Sequence, residues 1–169
     1  MEVAVRYHYV WLMWASAFLV PWTALYLGNA RLRRVMLRAS LATAAFGLTE
    51  PIFVPSYWLP PSLFDLAQRT RFDVESFIFS FAIGGVGVVL YNAVLFLGFY
   101  AAFMAGLTLS APGYIGQVWN LPALSGVVIR DIPLEEFLFG AAFGLYWRGV
   151  YEHLTGTSSV VHVQQRTGS

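Results

Sequence analysis

The chain has 169 residues, of which 58% are hydrophobic and 11% are charged, and its formal net charge is +1. A soluble domain carries about 25% charged residues, so this composition predicts an integral membrane protein. The absence of cysteine excludes disulfides, thiolate nucleophiles and cysteine-ligated metal sites. All of the basic residues are arginine, which excludes a lysine Schiff base, and the absence of a basic run argues against a nucleic-acid partner.

Several apolar stretches are long enough for spanning helices, which need about 20 residues. The run from 73 to 109 is too long for one straight helix, because it would reach about 55 Å at 1.5 Å per residue. We therefore divide it near Tyr91-Asn92 and predict an all-α membrane protein of five transmembrane helices; four, with one long kinked helix, is the alternative. The predicted spans are residues 7–28, 36–54, 74–91, 95–110 and 133–153.

A motif recurs along the chain, since residues 72–79 (FDVESFIF) resemble residues 132–139 (IPLEEFLF). Glu75 aligns with Glu135 at an offset of 60 residues, and Trp58 aligns with Trp119 at an offset of 61. The repeated unit is a helix, an aromatic loop and a helix that opens on a carboxylate. We call the stretch 55–61 the first Trp loop and the stretch around Trp119 the second Trp loop. The predicted divisions are a leading transmembrane helix (1–32), a first repeat (33–92), a second repeat (93–153) and a disordered polar tail (154–169).

Five helices in this order place both Trp loops on one side of the membrane. The Arg-rich loop 31–38 and Arg148 then lie on the other side, which the positive-inside rule assigns to the cytoplasm. Glycines at Gly84-Gly85 and in the segment 140–144 are typical of closely packed helices. Asp73 and Asp131 precede apolar runs and are predicted to be helix caps.

The segment 132–139, followed by Tyr151-Glu152, resembles the signature of the small integral-membrane lycopene cyclases. That family has Pro-x-Glu-Glu at the start of a helix, after a Trp loop, in two related copies. Pro133, Glu135 and Glu136 match the motif, whereas the first copy keeps Glu75 and has Ser76 in place of the second acid. The resemblance implies a carotenoid cyclase that needs no cofactor and lies in a prokaryotic cell membrane.

Cyclisation of a linear carotene end is started by acid and involves no net redox change. It requires a proton donor, stabilisation of a carbocation and a base that removes a proton. Carboxylic acids can perform the first and last tasks when burial favours their protonated form, and aromatic faces can stabilise the cation. The candidate catalytic residues are Glu135, Glu136 and Glu75.

The predicted substrate site combines one further carboxylate with aromatic side chains. Its members are Glu50, Trp58, Trp119, Phe79 and Phe139. The expected substrate is a hydrophobic isoprenoid that enters from the bilayer, so membrane lipid is the surrounding partner. A homo-oligomer and a hetero-oligomer both remain open.

Each of these residues also has a structural interpretation. Carboxylates in the first turn of a helix interact favourably with its dipole, which keeps Glu135 and Glu136 ionised. Glu50 lies within an apolar helix, where a structural hydrogen bond is as plausible as a site role, and the Trp side chains are typical interface anchors. The alternative functions are a non-catalytic or accessory isoprenoid-binding subunit and, less favoured, a small transporter. No metal site is predicted, because the three His lack ligand spacing.

Overall fold

The computed structural model describes residues 7–90 and 92–155 and is mostly helical. Short 3₁₀ turns cover Ala45–Thr49, Leu63–Asp65 and Leu121–Ala123, and a two-stranded hairpin pairs β1 (Val128–Ile129) with β2 (Ile132–Pro133). The α-helices are α1 (Val10–Ala17), α2 (Leu19–Gly28), α3 (Arg33–Ala44), α4 (Glu50–Phe53), α5 (Leu66–Thr70), α6 (Val74–Val89), α7 (Ala93–Ser110), α8 (Tyr114–Val118) and α9 (Leu134–Thr155).

The first apolar stretch forms α1 and α2, which are interrupted at Phe18. Pro21 has no N–H to donate to the carbonyl of Ala17, so the hydrogen-bond ladder is broken at this point. Both helices pack against α6. Phe18 is almost completely buried there, with its ring against those of Phe79 and Phe103.

The body of the molecule contains two helix pairs, since α3 packs against α6 and α7 packs against α9. Glycine permits both close approaches. A Cβ on Gly84 would lie 1.8 Å from Oγ1 of Thr43, and a Cβ on Gly144 would lie 2.7 Å from Cα of Ala93. The small residues predicted for helix packing therefore lie at the two helix crossings.

The predicted break in the long apolar run is present, because α6 ends at Val89 and α7 begins at Ala93. The side chain of Asn92 caps α7 by accepting hydrogen bonds from the N–H groups of Val94 and Leu95. Tyr91, at the predicted division, lies outside the described residues.

Asp73 caps α6, as predicted, by accepting a hydrogen bond from the N–H of Ser76 at 2.5 Å. The cap predicted at Asp131 is wrong. This residue has φ of +65° and forms the turn of the β1–β2 hairpin with Arg130. The chain between the second Trp loop and α9 therefore pairs with itself before the helix begins, and its register aligns Ile129 with Ile132.

Two helical segments, Val10–Gly28 and Ala93–Ser110, are long and apolar enough to cross a membrane. A third is added if Leu63–Thr70 and Val74–Val89, which meet at 95°, form one broken span. Arginines in α3 and charged residues in α9 lower the mean hydropathy of those helices. The described residues thus support a membrane protein with two or three candidate spans, and the count of five stays a prediction.

The repeat and the domain divisions also stay predictions. The predicted disordered tail, residues 154–169, contributes its first two residues to the end of α9. Its other residues lie outside the described ones.

The two Trp loops meet at one end of the helices. The N–H of Leu59 donates to the carbonyl of Val118 at 2.8 Å, and the N–H of Asn120 donates to the carbonyl of Tyr57 at 2.8 Å. Trp58 and Trp119 thereby form an antiparallel bridge. The loop between α2 and α3 and the last turn of α9 lie at the opposite end, as the helix order requires.

Candidate active site

A cavity of about 700 Å³ lies beneath the joined Trp loops, between the two helix pairs. Its wall is predominantly aromatic and aliphatic, and carboxyl groups enter it from two sides. Of the predicted site residues, all except Glu75 line it. The lining members of the prediction are Glu50, Trp58, Phe79, Trp119, Glu135, Glu136 and Phe139.

Glu136 is the most extensively hydrogen-bonded carboxylate of the cavity. Its side chain is buried and lies in the first turn of α9. One oxygen accepts from the Tyr57 hydroxyl at 2.5 Å and from Nε1 of Trp119 at 2.8 Å. The other oxygen accepts from the Tyr100 hydroxyl at 2.5 Å. Three donors therefore surround this side chain within an apolar wall, and both of its oxygens act as acceptors.

The two tyrosines were not among the residues predicted from sequence. Tyr57 directly precedes Trp58 in the first Trp loop, and Tyr100 lies in the middle of α7 with only 5% of its surface exposed. Burial and the nearby Glu136 carboxylate raise the pKa of the Tyr57 hydroxyl, so it remains a neutral donor. A hydroxyl within an apolar span was the available signal for Tyr100.

Glu50 enters the cavity from the first turn of α4 and is also buried. One of its oxygens accepts from the hydroxyl of Ser76. Nε1 of Trp58 donates to the other oxygen at 3.3 Å, which is a long contact. Glu50 therefore has a structural hydrogen bond and also a position on the cavity wall. Both features expected from the sequence, a hydrogen-bonding role and a place near the site, occur together.

The two tryptophans form the roof of the cavity. Their ring centroids are 5.4 Å apart and the rings are tilted by 52°. Each indole N–H points at a carboxyl group, Trp58 at Glu50 and Trp119 at Glu136. Both side chains are thus part of the cavity, and their polar edges hold the two carboxyls in place.

Glu135 has a different environment from its neighbour, because adjacent residues of a helix diverge by about 100°. It is half-buried, and one of its oxygens accepts from the N–H of Ser125 at 2.7 Å. Glu75 is fully buried and accepts from the N–H of Leu63 at 2.7 Å, away from the cavity wall. Both glutamates tie the start of a helix to the preceding loop, and their catalytic roles stay predictions.

Aromatic faces complete the wall at the level of the carboxyls. The ring of Phe79 lies 5.3 Å from that of Trp11, and the ring of Phe139 lies 5.3 Å from that of Tyr100. Such faces attract cations by about 2 kcal/mol or more in a desolvated site. Within residues 7–90 and 92–155, no group of three or more His, Asp or Glu side chains could hold a metal ion.

Comparison with known families agrees with this geometry. Residues 74–154 match the model of the lycopene cyclase family. Over that segment the chain is similar to the lycopene cyclase family. The family expectation drawn from the repeated motif is therefore confirmed. No curated protein and no solved structure matches the chain significantly.

The lycopene cyclase segment starts at the first residue of α6 and ends in the last turn of α9. It includes Trp119 and Glu136, but it excludes Glu50, Trp58 and the leading helices. The cavity is thus built partly from the matched segment and partly from the residues that precede it.

Proposed function

We propose that this chain is a lycopene-type carotenoid cyclase that acts by carboxylic-acid chemistry. The family match indicates carotenoid cyclase function and a membrane location. The observation that supports carboxylic-acid chemistry is Glu136, a buried carboxylate with three hydrogen-bond donors on the wall of a mostly apolar cavity. The same cavity supplies the aromatic faces that the intermediate requires.

The reaction would be an isomerisation within one substrate molecule. A carboxylic acid adds a proton to the terminal alkene and leaves a tertiary carbocation. The next double bond closes the ring onto that cation, and a carboxylate then removes a proton to form the ring alkene. Positioned acids and bases contribute about 10²–10⁴-fold to such steps. Phe79, Phe139 and the two roof tryptophans would stabilise the cation through their π faces.

The substrate would enter from the lipid rather than from water. Several residues on the cavity wall are also apolar and exposed at the surface, as expected where a wall opens towards acyl chains. They form a rim at Phe46, Phe53, Leu138 and Phe139. A long linear carotene could place one end beneath the Trp loops while its remainder stays in the bilayer.

In the membrane, we place the Trp-loop end at the outer interface and the Arg-rich stretch 31–38 at the cytoplasmic interface. This stretch was predicted to be a loop, but from Arg33 onward it forms the start of α3. Its arginines support this orientation through the positive-inside rule. Trp and Tyr side chains in the joined loops are also typical of a membrane–water boundary.

The test is to express the chain alone in a lycopene-accumulating bacterial host and to separate the pigments by chromatography. New monocyclic or bicyclic carotenes, which are absent from a host with empty vector, are the expected result. Unchanged lycopene, despite protein detected in the membrane, would exclude an enzyme that acts alone. The accessory isoprenoid-binding role would then be the better interpretation.

A further inference from the structure

The two Trp–carboxyl contacts take their carboxyls from different helices. Trp119 donates to Glu136, which lies on the helix that follows the second Trp loop. Trp58 donates to Glu50, which lies on the helix that precedes the first Trp loop. The carboxyl that contacts the tryptophan therefore precedes the Trp loop in the first half of the chain and follows it in the second half.

The residues at the aligned positions complete this exchange. Ser76 aligns with Glu136, and its hydroxyl donates to the Glu50 carboxyl. Glu50 therefore extends to the place where a second acid of the first motif would lie. Ala111, which is almost fully buried, aligns with Glu50 when the two tryptophans are superposed in sequence. Glu50 of the first half and Glu136 of the second half thus enter the same cavity from opposite helices.

We propose that Glu50 is a catalytic residue, which replaces the acid that the first motif lacks and acts with Glu136 as an acid–base pair. This assignment rests on the proposed cyclase function. It names a residue outside the segment that matches the family.

The hydrogen-bond partners assign the two roles. Glu136 has three donors and behaves as an acceptor on both oxygens, which is the pattern of a carboxylate. It is the base. Glu50 has one N–H donor at a long distance and the hydroxyl of Ser76, which can accept as well as donate. A buried carboxyl with so little support for its charge retains its proton, and Glu50 is the acid.

The proton balance of one ring closure follows directly. The Glu50 O–H bond breaks, and its proton forms a new C–H bond with the π pair of the terminal alkene. The π pair of the next alkene forms the ring C–C bond. Glu136 then takes a proton from a neighbouring carbon, and that C–H pair becomes the ring double bond. Exchange with water returns a proton to Glu50 and removes one from Glu136, so no oxidant or reductant is needed.

The test begins with Glu50→Gln in the full chain, expressed in the lycopene-accumulating host. Glutamine can still accept from Trp58 and donate to Ser76, so the fold contacts are kept while the acidic proton is lost. We expect cyclic carotene per amount of membrane-inserted protein to fall at least 100-fold. Asp65→Asn is the matched control, because Asp65 is solvent-exposed and lies outside the cavity, and it should keep the wild-type yield.

A second variant separates catalysis from a structural role. Glu50→Ala should be inactive, and the double variant Glu50→Ala/Ser76→Glu, which returns the carboxyl to α6, should recover at least tenfold more product than Glu50→Ala alone. Wild-type yield from Glu50→Gln, or no recovery in the double variant at equal protein level, would overturn the assignment. A wild-type chain that forms no cyclic carotene would instead overturn the proposed function.

Discussion

The Glu50 and Glu136 sites share an indole donor and differ in the length of that contact and in the number of hydroxyl groups around the carboxyl. At Glu136 the indole contact is 2.8 Å and two tyrosine hydroxyls add to it. At Glu50 the indole contact is 3.3 Å and a single serine hydroxyl adds to it. Burial disfavours the charged form of a carboxyl, and hydrogen-bond donors favour it. The number of donors, rather than the shared tryptophan, therefore distinguishes the two carboxyls. The comparison shows how one cavity can hold an acid and a base of the same residue type.

The largest expected effect is at the site with more donors. Glu136→Gln removes the carboxylate that accepts all three hydrogen bonds, and the amide nitrogen that replaces one oxygen faces a donor. We expect cyclic carotene to fall by about 10²–10⁴-fold, measured as product per amount of membrane-inserted protein. A variant that keeps more than a tenth of the wild-type yield would show that Glu136 is not the base.

The tyrosines test whether the additional donors matter. Tyr100→Phe and Tyr57→Phe each remove one hydroxyl from the Glu136 carboxylate. A hydrogen bond to a charged group contributes about 1.5–3 kcal/mol, so each change should lower the product yield by roughly 10-fold to 100-fold. Ser76→Ala at the other site should have a smaller effect, because Glu50 carries its proton there.

Tyr146→Phe is the matched control for these substitutions. Tyr146 lies on α9, its side chain is largely exposed, and it does not line the cavity. Equal losses in Tyr100→Phe and Tyr146→Phe would attribute the effect to helix packing rather than to the carboxylate.

The two helix crossings permit a comparison based on stability. Gly84→Ala places a methyl group against the side chain of Thr43, whereas Gly144→Ala places one against the backbone of Ala93. Each should lower the free energy of unfolding by about 1–3 kcal/mol. Thr43→Ala should restore part of the loss at Gly84, because it removes Oγ1 and Cγ2 but keeps the Cβ, which would lie 2.8 Å from the added methyl group. No single truncation should restore the Gly144 variant.

The measurement is thermal unfolding of the detergent-solubilised protein, monitored by the circular dichroism signal of its helices. Gly98→Ala is the control, since a Cβ at Gly98 meets no atom within 4 Å. That variant should match or slightly exceed the wild-type stability. An equal loss at Gly98 would mean that helix propensity, and not the crossing, governs these positions.

The smallest expected effect separates the two indoles. Trp119→Phe removes a 2.8 Å donor from the Glu136 carboxylate and should lower the product yield roughly 10-fold, the low end of the range for a hydrogen bond to a charged group. Trp58→Phe removes a 3.3 Å donor from a neutral acid and should change the yield less than twofold. A larger loss at Trp58 than at Trp119 would reverse the assigned roles of acid and base.

Local signals in the sequence were sufficient for several parts of the fold. The break before Asn92, the cap at Asp73 and the small residues at Gly84 and Gly144 each depend on a few neighbouring residues and on helix geometry. The family was also accessible, because the Pro-x-Glu-Glu stretch is continuous in the chain. Asp131 shows the limit of such signals, because an acidic residue before an apolar run can form a hairpin turn as well as a helix cap.

The partners of the carboxyls were not accessible in the same way. Tyr57 and Tyr100 reach Glu136 from distant parts of the chain, and no periodicity in the sequence specifies which hydroxyl on an apolar helix meets which carboxylate. The Glu50–Ser76 contact depends on how α3, α4 and α6 cross. Glu75 illustrates the converse, because its alignment with Glu135 suggested a site role and the fold directs it to the N–H of Leu63.

The order in which the two carboxyls meet their partners follows from the position of each partner along the chain. Glu50, Trp58 and Ser76 all belong to the first half, so a ribosome that has delivered α6 has already delivered that complete group. Glu136 is delivered with α9, the last helix among the described residues, long after its partner Tyr57 in the first Trp loop. Because chains emerge and assemble from the N-terminus, an unfinished nascent chain would contain the acid without the base. Cyclase competence would therefore begin only when α9 joins the bundle.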